Sequence, residues 1–233
     1  MPPIAILDFE TTGLSPAMGD RATEVAIVLM EDGRIVDRFQ SLMNAGVRIN
    51  AFIEQYTGIT NEMIEAAPPA EEVMAAAARF VGAAPLVAHN ASFDRRFWEG
   101  ELARLAGVRE GGDEDAAGPA PAEPSTIHAK PFACTMLLSR RLWPEARSFR
   151  LGSLAAFHDI EFSSRAHRAM ADAEVAAKLL ARVQREMERR YDVFDCPHEL
   201  LVKVGRAPKK KVPEVIERYR GGEGRMDAGS RPA

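Results

Sequence analysis

Of the 233 residues only two are cysteine, Cys134 and Cys196. They stand far apart and outside any C-x-x-C spacing, which argues against a disulfide framework or a zinc module. Long apolar runs are missing as well. No stretch approaches the roughly 18–20 residues of a membrane span, and the first residues carry no signal-peptide pattern. No membrane partner is therefore expected, and a soluble cytoplasmic protein is the expectation. An excess of positive charge is also lacking: 30 Lys and Arg face 34 Asp and Glu, a net charge of −4. That excludes a global basic signature for coating nucleic acid, although a local groove or bound cations could still supply positive charge. No internal repeat is visible. What remains is a chain of ordinary apolar content, 46%, long enough for one substantial α/β domain with some decoration.

The most informative stretch is Ile4 to Leu14, I-A-I-L-D-F-E-T-T-G-L. Ile4 to Leu7 is an unbroken apolar run, the pattern of a short strand buried on both faces. Asp8 and Glu10 stand at its end, followed by the turn signal Thr-Thr-Gly. Strand side chains alternate, so the two carboxylates share one side, roughly 6–7 Å apart, while Phe9 takes the other. Like charges at the end of a buried strand repel and are costly to desolvate unless cations lie between them. A divalent metal site accounts for the pair economically.

Further along, Glu24 to Met30 reads as a second strand and Arg34 to Leu42 as a third, with Glu31-Asp32-Gly33 as the hairpin turn. In Ile53 to Ile64, Gly58 breaks a short helix and Thr60 can cap the next. Pro68-Pro69 precedes a helix over 70–81 with Val73, Ala76, Ala77 and Phe80 on one face. Pro85 to Ala88 is a short buried strand leading through His89-Asn90 into a helix that carries Phe93 and Asp94. From Val108 to Pro131 the composition turns to Gly, Ala, Pro, Asp and Glu, which predicts a flexible surface insertion. Phe132 to Thr135 ends a strand, Met136 to Leu142 is helical up to Trp143-Pro144, and a helix follows near Leu151 to His158. The long helix from Met170 to about Arg189 has the stripe Val175, Ala176, Leu179, Leu180, Val183 and Met187.

Organisation follows from this pass: a domain over 1–190 with its insertion at 108–131, a basic and helical extension over 191–220, and a disordered tail over 221–233. The extension combines Leu200-Leu201-Val202 with Lys203, Arg206 and Lys209 to Lys211. It reads as an auxiliary contact surface or as a solvated charge run. Truncation after Arg190 is expected to weaken binding to long strands while sparing hydrolysis of a small nucleotide ester.

Two more acids stand out. Asp94 stands in the opening turn of its helix, where a carboxylate also complements the helix dipole. Asp172 falls on the inward stripe of the long helix and needs a partner, a metal or a facing strand-end acid. His167, five residues earlier, cannot share a helical face with Asp172. A loop position over the site suits it as a general base of near-neutral pKa.

The ordered set D-F-E-T-T-G-L, T-G-I-T (Thr57 to Thr60), H-N-A-S-F-D (His89 to Asp94) and H-R-A-M-A-D (His167 to Asp172) resembles the DEDDh 3′–5′ exonuclease family, over roughly Ile4 to Arg189. The resemblance implies a ribonuclease-H-like α/β fold: a mixed five-stranded sheet, order 3-2-1-4-5, flanked by helices. It implies that Asp8, Glu10, Asp94 and Asp172 bind two Mg²⁺ or Mn²⁺ ions, with Asp8 as the bridge and His167 as general base. Two such ions activate a water and stabilise the leaving 3′-oxygen. It also implies that the backbone around Glu10 to Gly13, with Thr11 and Thr12, meets the terminal nucleotide, that Leu14 and Ile59 wedge or stack near its base with Phe93 beneath, and that Asn90 orients the Asp94 turn or touches substrate. Some proofreading relatives carry His before the Gly-Ile pair, where this chain has Thr57. The implied activity is release of nucleoside monophosphates from single-stranded or frayed 3′ ends, DNA favoured over RNA, alone or with a polymerase or repair partner. An RNA exonuclease of the ribonuclease T or oligoribonuclease type is the near alternative, since sugar preference rests on 2′-hydroxyl contacts that sequence does not reveal. A non-catalytic nucleic-acid-binding module is the distant one; five filled catalytic positions argue against it.

Overall fold

The computed structural model describes residues 3–110, 131–162 and 168–222. The expected insertion, apart from its ends, the tail beyond 222 and His167 lie outside the described residues.

Five strands form one sheet in the order β3-β2-β1-β4-β5, as the resemblance implies. Strand β1 (Ile4–Thr11) is its centre, antiparallel to β2 (Ala22–Glu31) and parallel to β4 (Leu86–Ala88). The strand does not stop at Leu7. Asp8 pairs with Ala26 and Glu10 with Glu24, so both acids belong to the ladder, held by the β1–β2 hydrogen bonds rather than by a loop. Strand β2 turns into β3 (Arg34–Leu42) through Asp32 (φ 47°) and Gly33 (φ 74°). Positive φ at both central residues matches the right-handed twist of the flanking strands, as a two-residue hairpin requires. β5 (Phe132–Cys134) lies parallel to β4 at the far edge.

Between β3 and β4 come α1 (Ala51–Thr57), α2 (Asn61–Glu65) and α3 (Ala70–Val81). Their boundaries follow local chemistry. Asn50 caps α1 by accepting from the Ile53 amide, Gly58 closes it at φ 74°, and Thr60 caps α2 by accepting from Met63. The buried stripe of α3 includes Val73 and Ala77 but continues through Met74, Ala78 and Val81. Ala76 and Phe80 sit at its half-buried margin, where Phe80 meets the Phe39 ring at 5.6 Å. Helix α4 (Ser92–Glu110) links β4 to β5 and runs past Val108, where composition alone places the start of the insertion. Then follow α5 (Thr135–Leu142), α6 (Leu151–Phe157), α7 (Ala169–Tyr191), α8 (His198–Arg206) and α9 (Val212–Arg220).

The alternation in β1 divides the core. Ala5, Leu7 and Phe9 pack with Val25 and Ile27 beneath α3 and α4. Ile4 and Ile6 pack with Ala26 and Val28 on the opposite face, beneath α5 to α9. Asp8 and Glu10 continue this second row, so they emerge where α7 begins. The expected contact patch Leu200-Leu201-Val202 needs correction. It lies within α8 at 1%, 0% and 8% exposure and joins the second core. These side chains hold the fold and offer no apolar surface to a partner.

Candidate active site

Register brings two of the acids together and tertiary packing adds Asp172, while Asp94 approaches from the other face and lies outside this closest set. Carboxylate oxygens of Asp8, Glu10 and Asp172 all lie within 4.8 Å of one another. Asp172 stands in the first turn of α7, which packs across β1 and β2. Asp94 comes from the opposite face, in the first turn of α4; it is 2% exposed and accepts a 3.3 Å hydrogen bond from the Phe9 amide. That bond ties α4 to β1 between Asp8 and Glu10.

Crowding shows in the acid–base balance. Burial, then the Asp172 and Glu24 charges, push Glu10 up to about 8, with Arg168 opposing. Asp94 is pushed up to about 8 by burial and, more weakly, by Asp172, against the stabilising amide donors. Asp8 is raised well above the usual carboxylate range by burial and then by Asp94, Asp172, Glu10 and Glu24. An all-oxygen anionic donor set that is costly to ionise by itself fits hard divalent cations such as Mg²⁺ or Mn²⁺, whose charge offsets the repulsion. Asp8, Glu10, Asp94 and Asp172 are the residues that could hold them.

Sequence reasoning missed the residue that places Asp172. Glu24, 1% exposed, sits opposite Glu10 in the β1–β2 register. It accepts from Arg168 Nη2 at 2.9 Å and Nε at 3.3 Å, from the Ala169 amide at 3.2 Å and from Gln40 Nε2 at 2.8 Å. The start of α7 is thereby clamped to β2, three residues before Asp172. The signal appears only once the register is known: like charges directly opposed on a sheet are unfavourable, so a Glu10–Glu24 pair demands a cation, and Arg168 supplies one. A second pair, half-buried Arg21 with buried Glu101 at 2.8 Å, fastens α4 to the start of β2, and Glu101 also accepts from the Ala22 amide at 3.1 Å.

His89 is structural. Its Nε2 lies 3.0 Å from the Phe149 carbonyl and its Nδ1 2.9 Å from the Thr135 hydroxyl. A carbonyl can only accept, so Nε2 carries the hydrogen, and burial lowers the imidazole to about 4, which keeps it neutral. Asn90 follows at φ 59°, turning the chain from β4 so that its carbonyl accepts from Phe93 in the opening turn of α4.

The residues expected at the terminal nucleotide separate into two groups. Thr11, Thr12 and Gly13 form a tight turn: Thr11 Oγ1 donates to the Gly13 carbonyl at 2.6 Å, and Thr12 Oγ1 accepts from the Arg21 amide at 3.0 Å. A Cβ on Gly13 would lie 2.4 Å from Asp20 Oδ1, so a larger residue there would have to displace the Asp20 carboxylate from its hydrogen bond with the Ser15 amide. Leu14 beyond it is 77% exposed. Phe93 is half-buried against Phe97, ring centroids 4.9 Å apart. Ile59 does not join them. At 0% exposure it fills a small core with Ile49 and Ile64, so its side chain offers no surface to a base. The exposed face of α1 does. Phe52 and Tyr56 stack at 5.9 Å with an 11° interplanar angle, and burial followed by the Glu10 and Asp172 charges raises the Tyr56 phenol.

Comparison with known proteins agrees with this geometry. A family profile described as exonuclease matches residues 5–180. The PolC-type DNA polymerase III of Latilactobacillus sakei is 37% identical over 190 residues, 82% of this chain but 12% of the polymerase. The 3′-5′ exonuclease DinG of Bacillus subtilis is 32% identical over 184 residues, 79% of this chain and 18% of that protein. The chain thus spans a small part of these relatives. Among solved structures, exonuclease X in complex with 5′ overhanging duplex DNA aligns at 25% identity with a TM-score of 0.61, covering 87% of this chain and 99% of that one.

Proposed function

The chain belongs to the DEDDh 3′–5′ exonuclease family, and from that premise we propose that it releases nucleoside monophosphates from single-stranded or frayed DNA 3′ ends. The observation that carries the reading is the convergence of Asp8, Glu10 and Asp172 within 4.8 Å, with Asp94 added from the other face of the sheet. Two divalent cations held by these four carboxylates would supply the activation of water and the stabilisation of the leaving 3′-oxygen. The chain's own groups do the rest. The turn over Thr11 to Gly13 brings backbone to the edge of the acid cluster, where a terminal nucleotide is positioned. Exposed Phe52, Tyr56 and Leu14 offer apolar and aromatic surface for unstacked bases, a contact worth about 1–3 kcal/mol per aromatic-stacked base and available only to single strands. His167, outside the described residues, is assigned the proton taken from the attacking water. DNA is favoured over RNA because the relatives named above include a DNA polymerase and a DNA-bound nuclease. The same relatives suggest a polymerase or repair assembly as the setting.

The test is release of mononucleotides from 5′-labelled single strands, DNA and RNA side by side, with Mg²⁺, Mn²⁺ or EDTA. Metal-dependent shortening from the 3′ end, faster on DNA, is expected. His167→Ala should lower turnover by roughly 10²–10⁴, the usual scale of a positioned base, with metal affinity unchanged. Equal or faster degradation of RNA would overturn the DNA assignment, and metal-independent cleavage would overturn the mechanism.

A further inference from the structure

The chain is acidic overall, yet its last described segment is not. Between Lys203 and Arg220 seven basic residues stand against two acidic ones, in a chain of net charge −4. The burial of α8 explains how they are displayed. Leu200, Leu201 and Val204 face the core, and Gly205 packs against Leu137 and Leu138 of α5. Arg141 donates from Nε to the Ala207 carbonyl at 2.5 Å and pins the end of the helix. With one side fixed in this way, Arg206, Lys209 and Lys210 are left exposed.

Two clefts meet at this surface, and both include Arg206. One, of about 200 Å³, runs from Asn90, Ser92 and Arg95 at the start of α4 to Arg206. The other, of about 520 Å³, lies between α8 and α9 and is lined by Lys203, Arg206, Arg218 and Tyr219. Lys203 sits over the Tyr219 ring, 5.5 Å from its centroid. Asn90 and Ser92 precede Asp94 by four and two residues, so the first cleft begins at the turn that carries a candidate metal-binding acid. Lys203, Lys211 and Arg218 pair with Glu199 or Glu214, whereas Arg206, Lys209 and Lys210 form no ion pair among the described residues.

We propose that these two clefts form a track for the sugar-phosphate backbone of the strand upstream of the scissile end, with Arg206 as the junction and Lys209 and Lys210 as further phosphate contacts. The chemistry is that of a single-strand channel: Lys203, Arg206 and Arg218 line a groove with the Tyr219 ring inside it, and exposed Lys209 and Lys210 follow in sequence just beyond its Pro208 edge. An acidic protein surface would need apolar anchors beside the charges, and the large aliphatic residues of α8 are buried in the core. The proposal rests on the exonuclease reading for the direction of the strand but not for its contacts.

Binding separates the two. Fluorescence anisotropy in EDTA, where metal-dependent hydrolysis is off, would compare labelled single strands of three and twenty nucleotides. For Arg206→Gln/Lys209→Gln/Lys210→Gln the affinity for the long strand should fall about tenfold, and the slope of log K against log salt should flatten by about 2, near 0.7 per lost phosphate contact on single strands. Affinity for the trinucleotide and its hydrolysis with metal should not change. Lys211→Gln, already paired with Glu214, serves as the control and should leave all readings alone. An unchanged salt slope for the triple variant would overturn the track while leaving the exonuclease reading intact. Loss of activity in the wild-type chain with the salt slope still carried by these residues would do the reverse. Equal, salt-sensitive loss of binding to a polyglutamate peptide would instead identify a docking surface for acidic protein and sink the proposal.

Discussion

Asp8 shows how much of this protein's character is set by single carboxylates in an unfavourable place. Its pKa is raised by burial first and then by four neighbouring acids, while Glu10 and Asp94 are held at about 8. The sign of the pH effect follows. An acid whose folded pKa exceeds its unfolded value of about 4 binds more protons when folded, so stability falls as pH rises from about 4 to about 8. The metal-free protein should lose melting temperature across that window, and Mg²⁺ or Mn²⁺ should recover it most at the alkaline end. Apparent metal affinity should climb over the same range, because cations displace protons. Asp8→Asn removes one repelling charge. It should raise the metal-free melting temperature above pH 8 by a few degrees, about 1–2 kcal/mol at 2–4 °C each for a domain this size, while turnover falls below about a tenth of wild type through loss of a metal ligand. Calorimetry in EDTA together with the strand-shortening assay would check both halves. A variant less stable and still active would contradict the site.

At the scale of elements, the acids are held by what lies behind them, and there sequence and structure part company. The strand pattern of Ile4 to Leu7, the Gly58 break and the Thr60 cap were legible because each is settled within a few residues. Asp172 was legible because a carboxylate on an apolar stripe needs an explanation. Glu24 was not, since its place in E-V-A-I-V-L-M looks like an ordinary strand entry, and its burial depends on Arg168, 144 residues later. Ile59 was misplaced for the same reason: the T-G-I-T motif is visible in sequence, but whether its isoleucine faces solvent or Ile49 and Ile64 is a matter of packing. Glu24 is a positioning residue, and two readings distinguish that role from bulk stability. Glu24→Gln keeps one acceptor but loses the charge that helps raise Glu10. The pH midpoint of metal binding should therefore move down, while kcat falls about tenfold as the start of α7 loosens. Metal titrations by calorimetry at several pH values would detect the shift. A lower melting temperature with an unmoved midpoint would reduce Glu24 to a structural part.

For the whole molecule, the question is where the catalytic unit stops. Composition draws a line near Arg190, because the basic run and the Pro-rich turns beyond it look unlike a core. The packing draws no such line. Leu200, Leu201, Val204, Val212 and Ile216 are all at 2% exposure or less and share one cluster with Ile4, Ile6 and the α7 stripe. His198 adds a 2.7 Å bond from Nε2 to the Leu86 carbonyl in β4. Removing everything after Arg190 would uncover the α5 side chains beneath, among them Leu138 at 0% exposure. Each buried aliphatic lost from such a contact is worth about 1.5–3 kcal/mol, against a total stability of roughly 5–15 kcal/mol for a domain. Truncation after Arg190 should therefore give an unfolded or insoluble chain rather than a folded nuclease with a weaker grip. Because insolubility has other causes, Leu201→Ala supplies the graded version. It leaves every charge of the proposed track in place and should cost about 2–5 kcal/mol as a cavity in a packed core, lowering the melting temperature by roughly 5–15 °C with the salt dependence of strand binding unchanged at low temperature. Thermal denaturation followed by circular dichroism reads the first effect and anisotropy the second. A truncated chain melting within a few degrees of the full one would mean that α8 and α9 are appended to the catalytic fold and contribute nothing to its core.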